Sequence, residues 1–332
     1  MTINRTWFRN IISMTIGALA TAGALAQTAA RTDPAYPARP IRMIVAWPAG
    51  GGTDVIARII CQRLGEALQQ QIVVDNRGGA STIIGTEALA RATPDGYTLG
   101  FATSNLSVNP SLYAKLPYDF ARDFTPVSLA VKGLYVIVVH PSMPVKSVPE
   151  LVAYVKSTPG KINVSLAGPG SPNHLALAQF NSLLGVNVAG IQYKGAAPAA
   201  TALVSGETQL MFMSYPTVAP QIQAGRLRLI AVTSAQRSIA APDVPTAVES
   251  GLPGFVVEEW YGIVAPAQVE KAYIDKLHRA TKSVLALPEV KERLVAVGAD
   301  IVANSPVEFK AFIAAEAVRW AKIIKDAGIK ID

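Results

Sequence analysis

Short Ile/Val-rich runs alternate with amphipathic helical stretches along this chain, and the alternation runs through twice. The first series predicts strand 41–47, helix 53–69, strand 72–75, helix 82–92 and strand 97–103. Its first helix is marked by Val55, Ile56, Ile59, Ile60, Leu64 and Leu68 at helical spacing. The second series starts with the β-rich run Tyr135 to Val139, which His140-Pro141 ends. The capping box Ser147-Val-Pro-Glu150 then opens a helix carrying Leu151, Val152 and Val155. Strands 162–166, 188–193, 208–213 and 227–233 follow, with helices 173–184, 197–205 and 216–224 between them. Alternation of this kind implies a mostly parallel sheet with helices on both faces, and its restart implies two such lobes.

The stretch Pro242 to Gly254, rich in Pro and Gly, reads as a crossover leading to the run Trp260 to Pro266. Beyond it come helices 270–286 and 288–297 and a last helix opened by the capping box Ser305-Pro-Val-Glu308, with Phe309, Phe312, Ile313, Trp320, Ile323 and Ile324 on one face. Too few strands remain for a third lobe, so the tail is expected to pack back on the first. Lobe 1 is then 38–130 plus 256–332 and lobe 2 is 131–255, with crossings near 130 and 255. Two connections permit hinge closure on a ligand.

The start of the chain sets the compartment. Arg5 and Arg9 precede an apolar run from Ile11 to Leu25, and Ala24-Leu25-Ala26 forms a cleavage site, so residues 1–26 read as a secretory signal peptide and the mature protein as periplasmic. The run is too short and too rich in Ala, Gly and Thr to span a bilayer, and no cysteine follows it to carry a lipid. Loss of Arg5 and Arg9 lowers the formal charge from +7 to +5, because residues 1–26 contain no acid. The remaining Lys and Arg are scattered, which biases the surface mildly towards anionic solutes and argues against nucleic acid as a partner. Cys61 is the sole cysteine and cannot form an internal disulfide.

Each predicted lobe has a glycine-rich turn between a strand and a helix: Pro48-Ala-Gly-Gly-Gly-Thr53 in the first and Gly168-Pro-Gly-Ser-Pro-Asn-His174 in the second. Such turns offer backbone N–H groups to an anion, and both fall at carboxyl ends of strands, where open α/β sheets bind ligands. The first turn lacks G-x-G-x-x-G and G-K-[ST], so a nucleotide is not indicated. Asp54 either stabilises the positive helix end or meets a ligand ammonium. Thr103, Ser104 and Asn105, Tyr193 and Lys194, and Ser214 lie on the other carboxyl-end loops, where polar groups can orient a solute. Lys194 is either a reader of a second carboxylate or a solvated surface lysine. Trp47 and Trp260 either wall the cleft or belong to the core.

The chain resembles the Bug receptors, the extracytoplasmic solute-binding family of tripartite tricarboxylate transporters. The resemblance rests on Tyr36-Pro-Ala-Arg-Pro-Ile41, PAGGGTD (48–54), VVDNRGGAS (73–81), PDGYTL (94–99), RDFTPVS (122–128), GPGSPNHL (168–175), QYKGAAPA (192–199), AVTSAQRS (231–238), DVPT (243–246) and SPVEF (305–309), in family order along nearly the whole mature chain. It implies a two-lobed periplasmic-binding-protein fold of type II that grips a small carboxylate: a di- or tricarboxylate, an acidic amino acid or an aromatic acid. By position Ala49, Gly50, Gly51, Gly52, Gly170 and Ser171 would hold one carboxylate, within the loops that also contain Gly168 and His174. Ser104, Tyr193, Lys194 and Ser214 would read the rest of the ligand. The expected partners are the membrane permease subunits, with the receptor a monomer and without cofactor or metal. Two departures stand out. Asn76-Arg-Gly-Gly-Ala-Ser81 replaces the family's Asn-Arg-Pro-Gly-Ala-Gly, and Met213 replaces a common aspartate, which would suit a more apolar solute.

An exported hydrolase is the rival class, but the chain has no G-x-S-x-G elbow and no H-E-x-x-H. His140, His174 and His278 are not arranged with a nucleophile and an acid, and Cys61 sits in an apolar-patterned helix. No catalysis is expected. A sensor presenting its liganded form to a membrane kinase would carry the same cleft as a transport receptor.

Overall fold

The β-branched runs of the first series form β1 (Ile41–Val45), β2 (Ile72–Asn76) and β3 (Thr98–Thr103), joined through α1 (Gly52–Leu68) and α2 (Ile83–Ala90). The computed structural model describes residues 36–326, so the expected signal peptide lies outside the described residues. After β3 come α3 (Asn105–Leu112) and the long strand β4 (Phe124–Gly133). The second series then supplies β5 (Tyr135–Val139), α4 (Val148–Ser157), β6 (Asn163–Leu166), α5 (Pro172–Leu184), β7 (Ala189–Gln192), α6 (Ala196–Val204), β8 (Leu210–Ser214), α7 (Tyr215–Gln223) and β9 (Arg228–Val232). The tail contributes β10 (Glu259–Pro266), α8 (Lys271–Leu285), α9 (Pro288–Ala296), β11 (Ala299–Ile301) and α10 (Pro306–Asp326). No helix among the described residues is long and apolar enough to cross a membrane.

Two sheets result, ordered β11-β4-β10-β3-β1-β2 and β7-β6-β8-β5-β9. The expected parallel pairing holds inside the βαβ units, β1 with β2 and β3, and β6 with β7 and β8. The strands next to the crossovers run the other way: β10 is antiparallel to β3 and β4, β11 to β4, and β5 to β8 and β9. Both sheets are therefore mixed.

The chain passes from β4 to β5 across Leu134 alone and returns in β10, where Glu259 is paired with Gly133. The two crossings thus lie side by side. Leu134 is held on both sides, its N–H donating to the Gly298 carbonyl (2.6 Å) and its carbonyl accepting from Tyr215 N–H (2.8 Å).

The inner strands of the second sheet, β5 and β8, are buried on both faces, while the edge strand β7 is exposed. One face gathers Phe180, Phe212 and Phe255 with ring centroids 5.3–6.0 Å apart, and the other packs Val136, Val138, Met211 and Met213 against α6 and α7. On the first sheet Trp260 is core, not cleft wall: Phe309 and Phe312 of α10 meet its ring edge-on at 5.5 and 5.7 Å. The tail thereby packs on the first sheet. Its last helix is opened by the expected box, Ser305 N–H donating to Glu308 Oε2 (2.8 Å) and Glu308 N–H to Ser305 Oγ (3.3 Å).

Phe309 fits because Gly262 of β10 has no side chain; a Cβ there would lie 2.2 Å from the Phe309 ring. Phe309→Ala should cost about 3–5 kcal/mol, the usual result of emptying a buried aromatic site. Gly262→Ala should cost about 1–3 kcal/mol by overpacking the same contact. Urea denaturation followed by circular dichroism checks both. If either variant unfolds at the wild-type midpoint, α10 is not anchored there.

Candidate functional site

The turn between β1 and α1 is fastened by two side chains. Gly50 adopts φ +84°, a left-handed conformation that glycine enters without strain, and its N–H donates to Asp54 Oδ2 (3.1 Å). Asp54 also accepts from Arg58 Nε (3.0 Å) and Asn76 Nδ2 (3.1 Å), and Asn76 Nδ2 donates to the Trp47 carbonyl as well (3.1 Å). Burial opposes ionisation of Asp54, yet these donors outweigh it and hold its carboxyl below the usual range. Of the alternatives for Asp54, the structure supports the helix-end role: its oxygens are occupied and it does not line the cleft cavity.

The amides of this turn are divided between internal use and the cavity. Gly50 N–H serves Asp54 and Gly52 N–H donates to Thr217 Oγ1 (3.1 Å). No side chain caps α1, and the N–H groups of Gly51 and Thr53 have no partner among the described residues. Both residues line the cavity. The tight glycine is Gly52, whose Cβ would fall 2.6 Å from Ser214 Oγ on the second sheet; a Cβ on Gly51 would make only ordinary contact with Ala196, at 3.7 Å.

The second turn is likewise held from within. Gly168 and Gly170 have positive φ, Gly170 N–H donates to His174 Nδ1 (3.0 Å), and Ser171 N–H to the Gly168 carbonyl (3.2 Å). That bond leaves the His174 ring proton on Nε2, and burial lowers its pKa, so this histidine is a neutral brace of the loop. Ser171 Oγ is 2.5 Å from both the Gly168 carbonyl and Asn173 Oδ1. The Asn173 N–H, at the start of α5, has no partner among the described residues and faces the same cavity. From the first sheet, Asn105 Nδ2 donates to the Gly170 carbonyl (3.1 Å) and the Ser81 hydroxyl donates to the Pro169 carbonyl. The second loop is thereby tied to segments that follow β2 and β3 of the first sheet.

A third helix start, not recognised in the sequence as part of the site, completes the arrangement. Gly195, with φ +115°, opens α6, and Ala196 and Ala197 line the cavity with N–H groups unpartnered among the described residues. The signal was present in Lys194-Gly-Ala-Ala-Pro198, where proline occupies the first turn of a helix and needs no acceptor.

The cavity, partly open to solvent, thus gathers seven of the expected residues: Trp47, Ala49, Gly51, Gly52, Ser171, Lys194 and Ser214. Lys194 is exposed and has no carboxylate partner among the described residues. Met213 contributes an apolar wall. The other expected residues support this lining. Thr103 Oγ1 accepts from Trp47 Nε1 (3.3 Å), and Ser104, buried, takes two N–H donors on its carbonyl at the start of α3. The Tyr193 hydroxyl, placed by sequence among the ligand readers, donates instead to Glu207 Oε1 (2.6 Å); desolvation and that carboxylate push its pKa up to about 12. Sequence reasoning also passed over Tyr135 and Glu259, which line the cavity's inner wall. Among the described residues no group of three or more His, Cys, Asp or Glu side chains could hold a metal ion.

The family profile described as "Tripartite tricarboxylate transporter family receptor" matches residues 56–329. The chain is 38% identical over 315 residues to Protein BugT of Bordetella pertussis, covering 94% of this chain and 96% of that protein. Among solved structures it is similar to R. palustris Rpa4515 with adipate, with a TM-score of 0.86 at 32% identity, covering 89% of this chain and 99% of that one. It is also similar to MatC of Rhodopseudomonas palustris with bound malate, with a TM-score of 0.81 at 31% identity, covering 87% and 100%.

Removing the Asp54 carboxylate leaves the Gly50 amide without its acceptor and releases Arg58. Asp54→Ala should therefore cost roughly 2–4 kcal/mol near neutral pH. Because the folded carboxyl sits below its ordinary pKa, its contribution is present above about pH 4 and is lost as pH falls through the folded value. Urea titrations of both proteins at pH 7 and pH 3 should show the gap narrowing at the lower pH; a constant gap would remove the ionic part of this account.

Proposed function

The chain belongs to the tripartite tricarboxylate transporter receptor family, and from that premise we propose that it is a periplasmic binding protein that captures a small carboxylate between its sheets and hands it to membrane permease subunits. The observation that carries this reading is the convergence of three helix N-termini, those of α1, α5 and α6, on one cavity with unpartnered amides. Each helix start presents partial positive charge, and carboxylate oxygens are acceptors without protons to donate. Lys194 adds a full positive charge at the same place. The adipate and malate carried by two similar proteins are carboxylates of the expected class.

The site is built for holding and not for turnover. Ser171 has no free base beside it, since its hydroxyl lies against the Gly168 carbonyl and Asn173, and His174 Nδ1 is committed to Gly170. Lobe 1, 38–130 plus 256–332, and lobe 2, 131–255, would close about the adjacent crossings at Gly133 and Glu259. The bonds from Asn105 and Ser81 to the second loop would then form on closure.

A thermal-shift screen of mono-, di- and tricarboxylates, acidic amino acids and aromatic acids should raise the melting temperature for at least one class, because a ligand that binds only the folded state stabilises it. No shift across the panel would sink the proposal. For the strongest hit, calorimetry should show Gly51→Val at least about tenfold weaker, or 1.4 kcal/mol. At φ −85° valine suits the backbone, while its methyls would reach towards Ala196 across the free amides.

Lys194→Met separates ligand types. It should weaken a dianion by several fold more than the matching monoanion, and equal losses for the two would make Lys194 a bystander.

A further inference from the structure

The inner wall of the cavity holds an acid that nothing in the carboxylate reading uses. Glu259, the first residue of β10, is 5% exposed and lines the same cavity as Lys194. Its neighbour Glu258 is neutralised by Lys132 at 3.0 Å, whereas Glu259 has no cationic partner among the described residues. Residues two apart on a strand share a face, which brings Tyr261 beside Glu259, and Tyr135 of β5 stands against them both. Tyr261 Oη is buried and lacks a partner in full hydrogen-bond geometry.

Resting on the carboxylate reading above, we propose that Glu259 is the specificity-determining residue that receives a ligand ammonium, so that the cleft selects an amino-carboxylate over a dicarboxylate of similar length. A buried carboxyl is tolerated when it is neutral or paired, and here the missing pair faces a ligand cavity. With Lys194, three helix starts and an acid in one lining, the cavity carries both signs of charge. A zwitterion matches it, while a dianion would bring its second carboxylate against Glu259. Tyr135, which lines the same cavity, adds an aromatic surface that favours a cation.

The groups around Glu259 make the proposal readable through pH. Tyr261 on its own strand and Tyr135 on β5 are both pushed well above the ordinary phenol range, chiefly by burial. Lys194 lines the cavity from the loop before α6, and Lys132 on the paired strand β4 is committed to Glu258. Burial raises Glu259 to about 7, so it is the acid among these that titrates near neutrality. Binding an ammonium requires its ionised form. Affinity for an amino-carboxylate should therefore fall by up to tenfold per unit as pH drops below about 7, whereas a dicarboxylate should bind better as Glu259 takes up a proton.

The test is isothermal titration of purified protein at pH 6 and pH 8 with glutamate, 4-aminobutyrate and 5-aminopentanoate, set against glutarate and adipate. At least one amino-carboxylate should bind tenfold or more tightly than the dicarboxylates at pH 8, and weaken at pH 6. Glu259→Gln keeps the shape, and should lose that preference and flatten the pH dependence; circular dichroism checks that it is folded. The wild-type pH series decides the matter even if the variant does not fold. Dicarboxylates preferred at both pH values, or an amine preference that survives in Glu259→Gln, overturns the inference and leaves the carboxylate reading standing. If none of the five binds, and the wider carboxylate panel is also silent, both readings fall. If only a carboxylate without an amine binds from that panel, this inference alone is lost.

Discussion

A helix cannot satisfy the N–H groups of its own first turn, and three helices in this protein leave that deficit in one place. Two other helices close such ends with the side chain of the residue before them. Ser147 accepts from the Glu150 amide and Ser305 exchanges bonds with Glu308. At α1, α5 and α6 the capping residue makes no such bond, and of the α1 amides only that of Gly52 meets a side chain, Thr217. What the turns do contain is directed at their own shape: Asp54 fastens Gly50, His174 braces Gly170, and Asn76 fixes the Trp47 carbonyl. The polar side chains hold the loops so that the backbone can face the cavity. This division explains why Asp54, His174 and Tyr193, expected at the site from the sequence, do not line the cavity.

The sheets place these ends opposite one another. Parallel βαβ units carry each helix start to the carboxyl end of a strand, and the antiparallel strands β4, β5 and β10 carry the chain between sheets. Because Gly133 and Glu259 are paired across that passage, the two connections are neighbours and not separate struts. Gly52 sits where the first lobe's helix start comes against Ser214 and Pro216 of the second sheet's β8 and α7. The amide, glycine and serine at that contact belong to the cavity wall, so a change in the distance between the sheets is a change in the site itself.

Much of this was legible in the sequence, for a physical reason. Hydrophobic periodicity reports local burial, and both rounds of alternation became strands and helices within a few residues of their expected ends. The antiparallel strands were harder. Phe124-Thr-Pro-Val-Ser-Leu-Ala-Val-Lys-Gly133 contains a proline and no clean alternation, and it becomes β4 because β10, arriving from far along the chain, pairs with it. Asn105-Leu-Ser-Val-Asn-Pro-Ser-Leu112 is poor in helix formers and carries Pro110, yet burial of Leu106, Val108 and Leu112 makes it α3. The glycine turns were found because glycine marks its own backbone. The α6 start has a single glycine, and it was read only as the beginning of a helix.

Glu259 shows the deeper limit. In the sequence Glu258-Glu-Trp260 is two acids in a row, which ordinarily means a solvated edge, and nothing local distinguishes one from the other. Their fates separate only when β10 enters the sheet: Glu258 reaches Lys132, and Glu259 is turned into the wall beside two buried tyrosines. The contrast with Asp54 is equally instructive. Both are buried acids near the cleft, but Asp54 is surrounded by donors and its carboxyl is held ionised, while burial holds Glu259 towards the neutral form against the opposing effect of the Tyr261 phenol. A paired acid contributes to the shape of the site and little to its net charge. An unpaired one leaves the charge of the inner wall to be set by whatever enters, and it is there that the cleft can tell one carboxylate from another.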